Sequence, residues 1–192
     1  MTRTEIKKMK ETETLVLTKG RLFWHYSFIL FLLFVPLLTT IDVIKYYVTH
    51  TYYAQRPIED LISTGYIWVI SAIAFYFIQK TRLKFKVLNI SVDSDTFKTA
   101  AEQTAKELEW EIQKKTNDLI VAHRDWYWTG SWGEMITIIR DKDRILINSI
   151  CDPDNRPSVA SWGMNRINIK TFEQYIRRTA PNSSFAKVGL TN

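Results

Sequence analysis

Two long apolar runs, at residues 22–41 and 61–79, dominate the first half of the chain. The first run contains no Asp, Glu, Lys or Arg, and the second is weaker because several small residues interrupt it. A helix needs roughly 20 apolar residues to cross the hydrocarbon core of a bilayer, so each run is long enough. The pattern therefore predicts a transmembrane helical hairpin within residues 22–79, with helices at 22–45 and 60–79.

The alternative interpretation is that both runs are buried core helices of a soluble protein. Two such runs in a chain of 192 residues would leave too little polar sequence to cover them. The proline at position 36 fits the membrane interpretation, because a membrane helix tolerates proline with a kink.

The pattern changes after residue 79, where shorter apolar segments alternate with charged residues and turn signals. Period-two alternation predicts strands, and a spacing of three to four residues predicts helices. The predicted elements, in order, are strand 83–90, helix 96–109, strands 110–114, 119–128, 132–140 and 145–150, and helix 169–178. This order predicts an α+β domain with a mostly antiparallel sheet and both helices on one face.

The chain therefore divides into a cytoplasmic N-terminal segment (1–21), the hairpin (22–79), an α+β domain (80–179) and a disordered tail (180–192). The net charge of +6 bears on the orientation. Lys and Arg are concentrated before the first helix and after the second, whereas the loop between the helices holds only Lys45 and Arg56. Positive charge marks the cytoplasmic side, which predicts a bacterial inner-membrane protein with both termini in the cytoplasm.

The composition gives few indications of a catalytic, metal or cofactor site. A single cysteine, Cys151, excludes an intrachain disulfide and a multi-cysteine metal site. The sequence contains no glycine-rich phosphate loop, HExxH motif or paired histidine ligands. We therefore predict no cofactor, no metal and no catalytic residues.

The stretch 125–134 (DWYWTGSWGE) is the most unusual local feature, because tryptophans 126, 128 and 132 flank a predicted tight turn. Exposed aromatic clusters mark binding surfaces, so Trp126, Trp128 and Trp132 are candidates for contact with a partner, a ligand or the membrane. The alternative is that they fill the core beneath a helix. Nucleic acid is disfavoured, because acidic residues rather than basic ones flank the aromatics.

The loop 151–166 is the second candidate, because long irregular loops in compact domains are often functional. Arg156, Asn165 and Arg166 carry donors suited to an anion, and Trp162 adds an aromatic surface. The alternative is that Asn165 or Asn168 caps the last helix.

Several segments between residues 110 and 172 resemble a bacterial family of unknown function. The segments that carry the resemblance are WEI (110–112), DLIVA (118–122), WGEMITI (132–138), INSI (147–150) and SWGMNRIN (161–168), followed by Phe172. Glu109 departs from the family pattern, which has glycine before the tryptophan. Because the family brings no known chemistry, the resemblance implies a fold rather than an activity.

These observations favour a membrane-anchored cytoplasmic module that binds a protein partner or a second copy, as an adaptor or accessory subunit of a membrane complex. Its expected partners are the lipid bilayer and protein, not nucleic acid. One alternative is a ligand-sensing domain that uses Arg156 and Arg166. Another is a membrane-bound hydrolase centred on Cys151 or His123, which requires those two side chains to meet.

Overall fold

The computed structural model describes residues 1–52, 56–125, 133–154, 161 and 163–180. Within these ranges the helices are α1 (Arg3–Thr12), α2 (Lys19–Ile44), α3 (Ile58–Arg82), α4 (Ser94–Leu108) and α5 (Met164–Thr179), and α2 continues into a short π-helix, Lys45–Thr49. The strands are β1 (Lys86–Leu88), β2 (Glu111–Lys115), β3 (Leu119–Arg124), β4 (Glu134–Asp141) and β5 (Arg144–Cys151). The predicted tail beyond residue 180 lies outside the described residues.

Helices α2 and α3 form a hairpin, and both are long and apolar enough to cross a membrane. In the most apolar window of each helix only 6% and 11% of the residues are buried. The core helix of a soluble protein buries its apolar face, whereas these helices expose theirs. The two helices approach closely at Gly65, where an added Cβ would lie 3.3 Å from Cγ2 of Thr39.

The strands form one five-stranded sheet in the order β1-β5-β4-β3-β2, and every neighbouring pair is antiparallel. The tightest connection joins β4 to β5, where Lys142 adopts a left-handed conformation with φ 50°. A turn of this length forces the two strands to run in opposite directions. The prediction of an α+β class with an antiparallel sheet is therefore confirmed.

One face of the sheet is covered by α4 and α5. The carboxylate of Asp93 accepts hydrogen bonds from the backbone N–H groups of Asp95 and Thr96 and begins α4, slightly before the predicted start. Phe97 from α4 and Phe172 from α5 are fully buried against the sheet. This side of the domain is an apolar core built from the two predicted helices.

The opposite face is covered by α1 and the chain that follows it, for which the sequence pattern predicts no element. Met9 of α1 is 0% exposed and packs with Leu15 on this face. The backbone N–H of Leu15 donates to the carbonyl of Leu83, and the N–H of Phe85 donates to the carbonyl of Glu13, both at 2.8 Å. The segment that precedes α2 and the segment that follows α3 therefore pack together as one unit.

Candidate functional site

Of the seven candidate residues singled out in the sequence, two lie within the described part of the chain. Trp126, Trp128, Trp132, Arg156 and Trp162 lie outside the described residues. Asn165 and Arg166 are described, and both lie in the first turn of α5. The candidate site is therefore built outward from that turn.

The start of α5 is formed by Gly163, which is the N-cap with a φ of 89°. No side-chain hydrogen bond caps this end within the described part of the chain. The interpretation of Asn165 or Asn168 as the cap is wrong, because both residues lie inside the helix. The backbone N–H groups of Met164 and Arg166 donate to the carbonyls of Ser161 and Gly163, so this end of α5 contributes chiefly the positive end of the helix dipole.

Asn165 and Asn168 instead connect α5 to the sheet. The hydroxyl of Ser149 donates to Oδ1 of Asn165 at 3.1 Å, and Nδ2 of Asn168 donates to Oγ of Ser149 at 3.0 Å. The indole N–H of Trp110 donates to Oδ1 of Asn168 at 3.1 Å. These bonds fix the first turn of α5 over the end of β5.

A cavity of about 490 Å³ lies between this turn, the end of α3 and β5. We call it the basic pocket, and its described lining residues are Thr81, Arg82, Lys84, Asn148, Ser149, Ser161, Gly163, Asn165, Arg166 and Ile169. Three of them are Lys or Arg, and none of these described residues is acidic. The lining is therefore suited to an anion.

The three cations of the basic pocket differ in their surroundings. Nη1 of Arg82 donates to Oε1 of Gln79 at 3.3 Å. Lys84 and Arg166 are exposed, and neither forms a side-chain hydrogen bond or ion pair with any described residue. Because these two cations lie beside the positive end of α5, the pocket is electropositive.

Asn148 of β5 lines the basic pocket and is only 2% exposed. Its Nδ2 donates to the carbonyl oxygens of Arg82 and Lys84, both at 2.8 Å. These two bonds fix the orientation of the amide, so that Oδ1 remains buried without a hydrogen-bond partner in the described structure. Because the neighbouring Ser149 points towards α5, the side chain of Asn148 points to the opposite face of the sheet, the one that carries α1.

The basic pocket is linked to the apolar hairpin through Gln79 of α3. Nε2 of Gln79 donates to the carbonyl of His25 at 3.0 Å, and Nε2 of His25 lies 3.1 Å from the carbonyl of Gln79. The same Gln79 side chain accepts the bond from Arg82. One glutamine therefore holds α2 to α3 and positions a cation of the pocket.

A second polar cluster lies at the end of β3, on the sheet face that carries α1. Nδ1 of His123 donates to Oδ2 of Asp152 at 2.5 Å, and the backbone N–H of Asp154 donates to Oδ1 of Asp152 at 2.9 Å. Burial by itself raises the pKa of Asp152, but these hydrogen bonds and the nearby charges of His123 and Arg21 hold it below its ordinary value.

This cluster does not contain the pairing expected for a hydrolase. His123 lies opposite Met135, which lies opposite Ile150, so these three share one face of the sheet. Cys151 is the next residue after Ile150, and successive side chains of a strand point to opposite faces. His123 and Cys151 therefore lie on opposite sides of the sheet. No group of three potential metal ligands occurs among the described residues either.

Sequence reasoning named Asn165 and Arg166 but missed the other residues of the basic pocket, including Arg82, Lys84 and Asn148. Arg82 and Lys84 follow a predicted membrane helix, where basic residues are explained by the orientation of the helix. Their sequence position therefore gives no separate indication of a binding role. Asn148 had a usable signal, because it is a polar residue within the apolar segment 145–150. A buried amide on a central strand needs a structural or binding explanation.

Comparisons with known proteins add no further constraint. No family model, no curated protein and no solved structure matches the chain. The function is therefore argued from the geometry of the described residues.

Proposed function

We propose that this chain is a membrane-anchored, non-enzymatic binding domain that holds an anionic ligand in the basic pocket. The observation that carries the proposal is the lining of that pocket, where Lys84 and Arg166 have no acidic partner among the described residues. This function corresponds to the ligand-sensing alternative of the sequence analysis, with Arg82 and Lys84 as its additional cations.

The exposure of the apolar hairpin supports membrane insertion. Leucine, isoleucine and phenylalanine side chains are exposed along both helices, among them Phe31, Leu37, Ile67 and Ile70. Contiguous apolar surface of this extent is excluded from water and matches the acyl chains of a bilayer. The hairpin therefore anchors the domain.

The orientation follows from the contacts between the two ends of the hairpin. Because Leu15 and Leu83 are hydrogen-bonded, both ends of the hairpin leave the membrane on the side of the folded domain. The basic residues beside those ends favour the cytoplasmic side. The cytoplasmic face of a bacterial inner membrane is therefore the proposed location.

The packing of α1 argues against a removable signal sequence. A signal peptide is cleaved together with the segment that precedes it. Cleavage after α2 would remove Met9, which is fully buried against the sheet. The domain would then lose part of its own core.

The other two functions have weaker support. The adaptor hypothesis relies on Trp126, Trp128 and Trp132, which lie outside the described residues, so a protein partner is a prediction from sequence alone. The hydrolase hypothesis needs His123 and Cys151 together, and the strand register separates them.

Cysteine labelling tests the proposed topology. The lone Cys151 is buried, so the unmodified chain provides the blank. A Thr51→Cys variant places a thiol in the loop between α2 and α3, and Lys7→Cys places one on the exposed side of α1. In intact cells a membrane-impermeant maleimide is expected to label T51C, and to label K7C only after permeabilisation. Equal labelling of both in intact cells would contradict the topology.

Anion binding is tested on the full chain purified in a neutral detergent and titrated with inorganic phosphate. We expect saturable binding and a rise in the thermal unfolding midpoint. The double variant K84Q/R166Q is expected to weaken binding by roughly tenfold or more, since charge-assisted hydrogen bonds are lost. Lys170→Gln is the matched control, because Lys170 is exposed on the same helix but does not line the pocket. Equal weakening in both variants would overturn the proposal.

A further inference from the structure

A chain of three hydrogen bonds leads from the interior of the domain to the basic pocket. It begins at the indole N–H of Trp110, which donates to Asn168, and Asn168 in turn donates to Ser149. The hydroxyl of Ser149 then donates to Asn165, which lines the pocket. Trp110, Ser149 and Asn168 are 6%, 5% and 0% exposed. The chain is therefore shielded from water up to its last member.

The sense of this chain is fixed at its buried end. An indole N–H donates and cannot accept, so Trp110 requires the oxygen of the Asn168 amide. The nitrogen of that amide then faces Ser149, whose oxygen accepts from it. Among the described residues, the hydroxyl of Ser149 has no acceptor other than Oδ1 of Asn165. One tryptophan therefore determines which end of each amide faces which neighbour.

The amide of Asn165 is thereby restricted to donating. Its Oδ1 faces Ser149, so Nδ2 and its two N–H groups remain for other contacts. These N–H groups form no hydrogen bond with any residue in the described ranges. Because Asn165 is only partly buried and lines the pocket beside Arg166, its amide is available to a bound acceptor.

Ser161 gives a second indication of a ligand in the same cavity. It lines the pocket and is only 9% exposed, yet its hydroxyl forms no hydrogen bond with the described part of the chain. Buried hydroxyl groups in folded proteins normally have a partner. An oxygen atom of a ligand held between Ser161 and Asn165 would supply one.

We infer that Asn165 is a specificity-determining residue of the basic pocket, which the hydrogen-bond chain from Trp110 holds as a pure donor. The ligand it selects is an oxyanion whose bound oxygens carry no proton, because a protonated oxygen would place its hydrogen against the N–H groups of Asn165. Sulfate and ionised phosphate groups meet this requirement. The inference rests on the proposed anion site and adds the residue that recognises unprotonated oxygen.

The test follows the chain directly by nuclear magnetic resonance. The full chain is isotopically labelled, purified in neutral detergent and titrated with sulfate, which carries no proton at neutral pH. The signals of the Asn165 amide and the Trp110 indole are identified by their absence in Asn165→Ala and Trp110→Phe. We expect both signals to shift with one saturable dependence on sulfate, because hydrogen bonds in a chain polarise one another. Saturable binding that leaves either signal in place would overturn the inference.

Variants separate the chain from the charges of the pocket. Ser149→Ala interrupts the chain and removes no charge, so the Asn165 amide loses its fixed orientation. Sulfate affinity should fall by about fivefold or more in this variant and in Asn165→Ala, since each weakens a hydrogen bond to a charged group. Tyr175→Phe is the matched control, because the Tyr175 hydroxyl donates to Glu107 from the same helix and lies outside the chain. Wild-type affinity in Ser149→Ala, or an equal loss in Tyr175→Phe, would overturn the inference.

The same titrations distinguish this inference from the proposed function. If the wild-type chain binds neither sulfate nor inorganic phosphate, both fall together. If binding depends on Lys84 and Arg166 but not on Asn165, the proposed anion site stands and the role of the hydrogen-bond chain falls.

Discussion

His123 and Asp152 share a short buried hydrogen bond, with Nδ1 and Oδ2 separated by 2.5 Å. The bond joins the end of β3 to the chain leaving β5, which are separated by β4 in the sheet. It therefore fixes the start of the segment that leads to α5 and the basic pocket.

Replacing Asp152 by Asn is expected to lower the free energy of unfolding by about 1–3 kcal/mol at pH 7, because a buried charged partner of His123 is lost. The pKa of Asp152 is depressed in the folded state. Its contribution is therefore present above the unfolded value of about 3.9 and is lost as the pH falls through the folded value. The difference between wild type and variant should close below pH 4 in denaturant titrations.

Asp143→Asn is the control for this effect, because Asp143 is an exposed residue of the β4–β5 turn. It should change stability by less than about 0.5 kcal/mol. A gap between wild type and D152N that stays constant from pH 7 to pH 3 would contradict the assigned role of the carboxylate.

Arg21 connects the start of α2 to the same segment. Its Nε and Nη2 both donate to the carboxylate of Asp154, which is half exposed, so the pair adds little global stability. Arg21→Gln should instead speed hydrogen exchange at the Asp154 amide with an unchanged melting temperature. Lys19→Gln, which removes the same charge two residues earlier, should leave that exchange rate as it is. Unchanged exchange in R21Q would show that the pair does not hold the segment.

Thr137 of β4 lies opposite Asn148 of β5. Its buried hydroxyl has no hydrogen-bond partner in the described structure. Thr137→Val removes that unpaired group, so the unfolding free energy should rise by about 1 kcal/mol. Thr104 is the matched comparison, because its equally buried hydroxyl donates to the carbonyl of Ala100 at 2.8 Å. Thr104→Val should bring no gain. If both variants behave alike in urea titrations, the Thr137 hydroxyl has a partner in solution.

Gly65 marks the closest approach of α2 and α3. An added Cβ there would lie 3.3 Å from Thr39, whereas one at Gly20 meets no atom within 4 Å. Gly20→Ala should raise the free energy of unfolding by about 0.5–1 kcal/mol through helix propensity. Gly65→Ala should bring no such increase, because the added methyl group would crowd Thr39. Thermal unfolding in detergent compares the two, and a larger gain at Gly65 would mean that the helices are farther apart.

The sequence carried enough information to predict the hairpin and the class of the domain. Apolar runs of about 20 residues have few alternatives, and the short Lys142–Asp143 turn permits only antiparallel neighbours. Helix α1 escaped prediction because its few apolar residues, Ile6 and Met9, lie among charges. The Thr2–Glu5 capping box at its start was a local signal that the apolar pattern does not include.

The basic pocket was predicted only in part. Asn165 and Arg166 are adjacent and belong to the loop 151–166 that was predicted to be functional. A local stretch of sequence was therefore enough to single them out. Lys84 and Asn148 come from distant parts of the chain and meet only because β1 pairs with β5. Sequence pattern reports which residues are polar, but long-range strand pairing decides which polar residues share a cavity.

In the proposed membrane topology, the hydrogen bond between Leu15 and Leu83 couples insertion of the hairpin to folding of the domain. Helix α1 leaves the ribosome before the hairpin and the sheet, yet its place on the sheet exists only after the hairpin has turned back and β3–β5 have formed. In that topology, insertion of α2 in the wrong direction would leave α1 across the bilayer from its own sheet. The sheet then exposes the apolar surface that Met9 should cover, and an error of topology becomes a defect that proteolytic quality control can recognise.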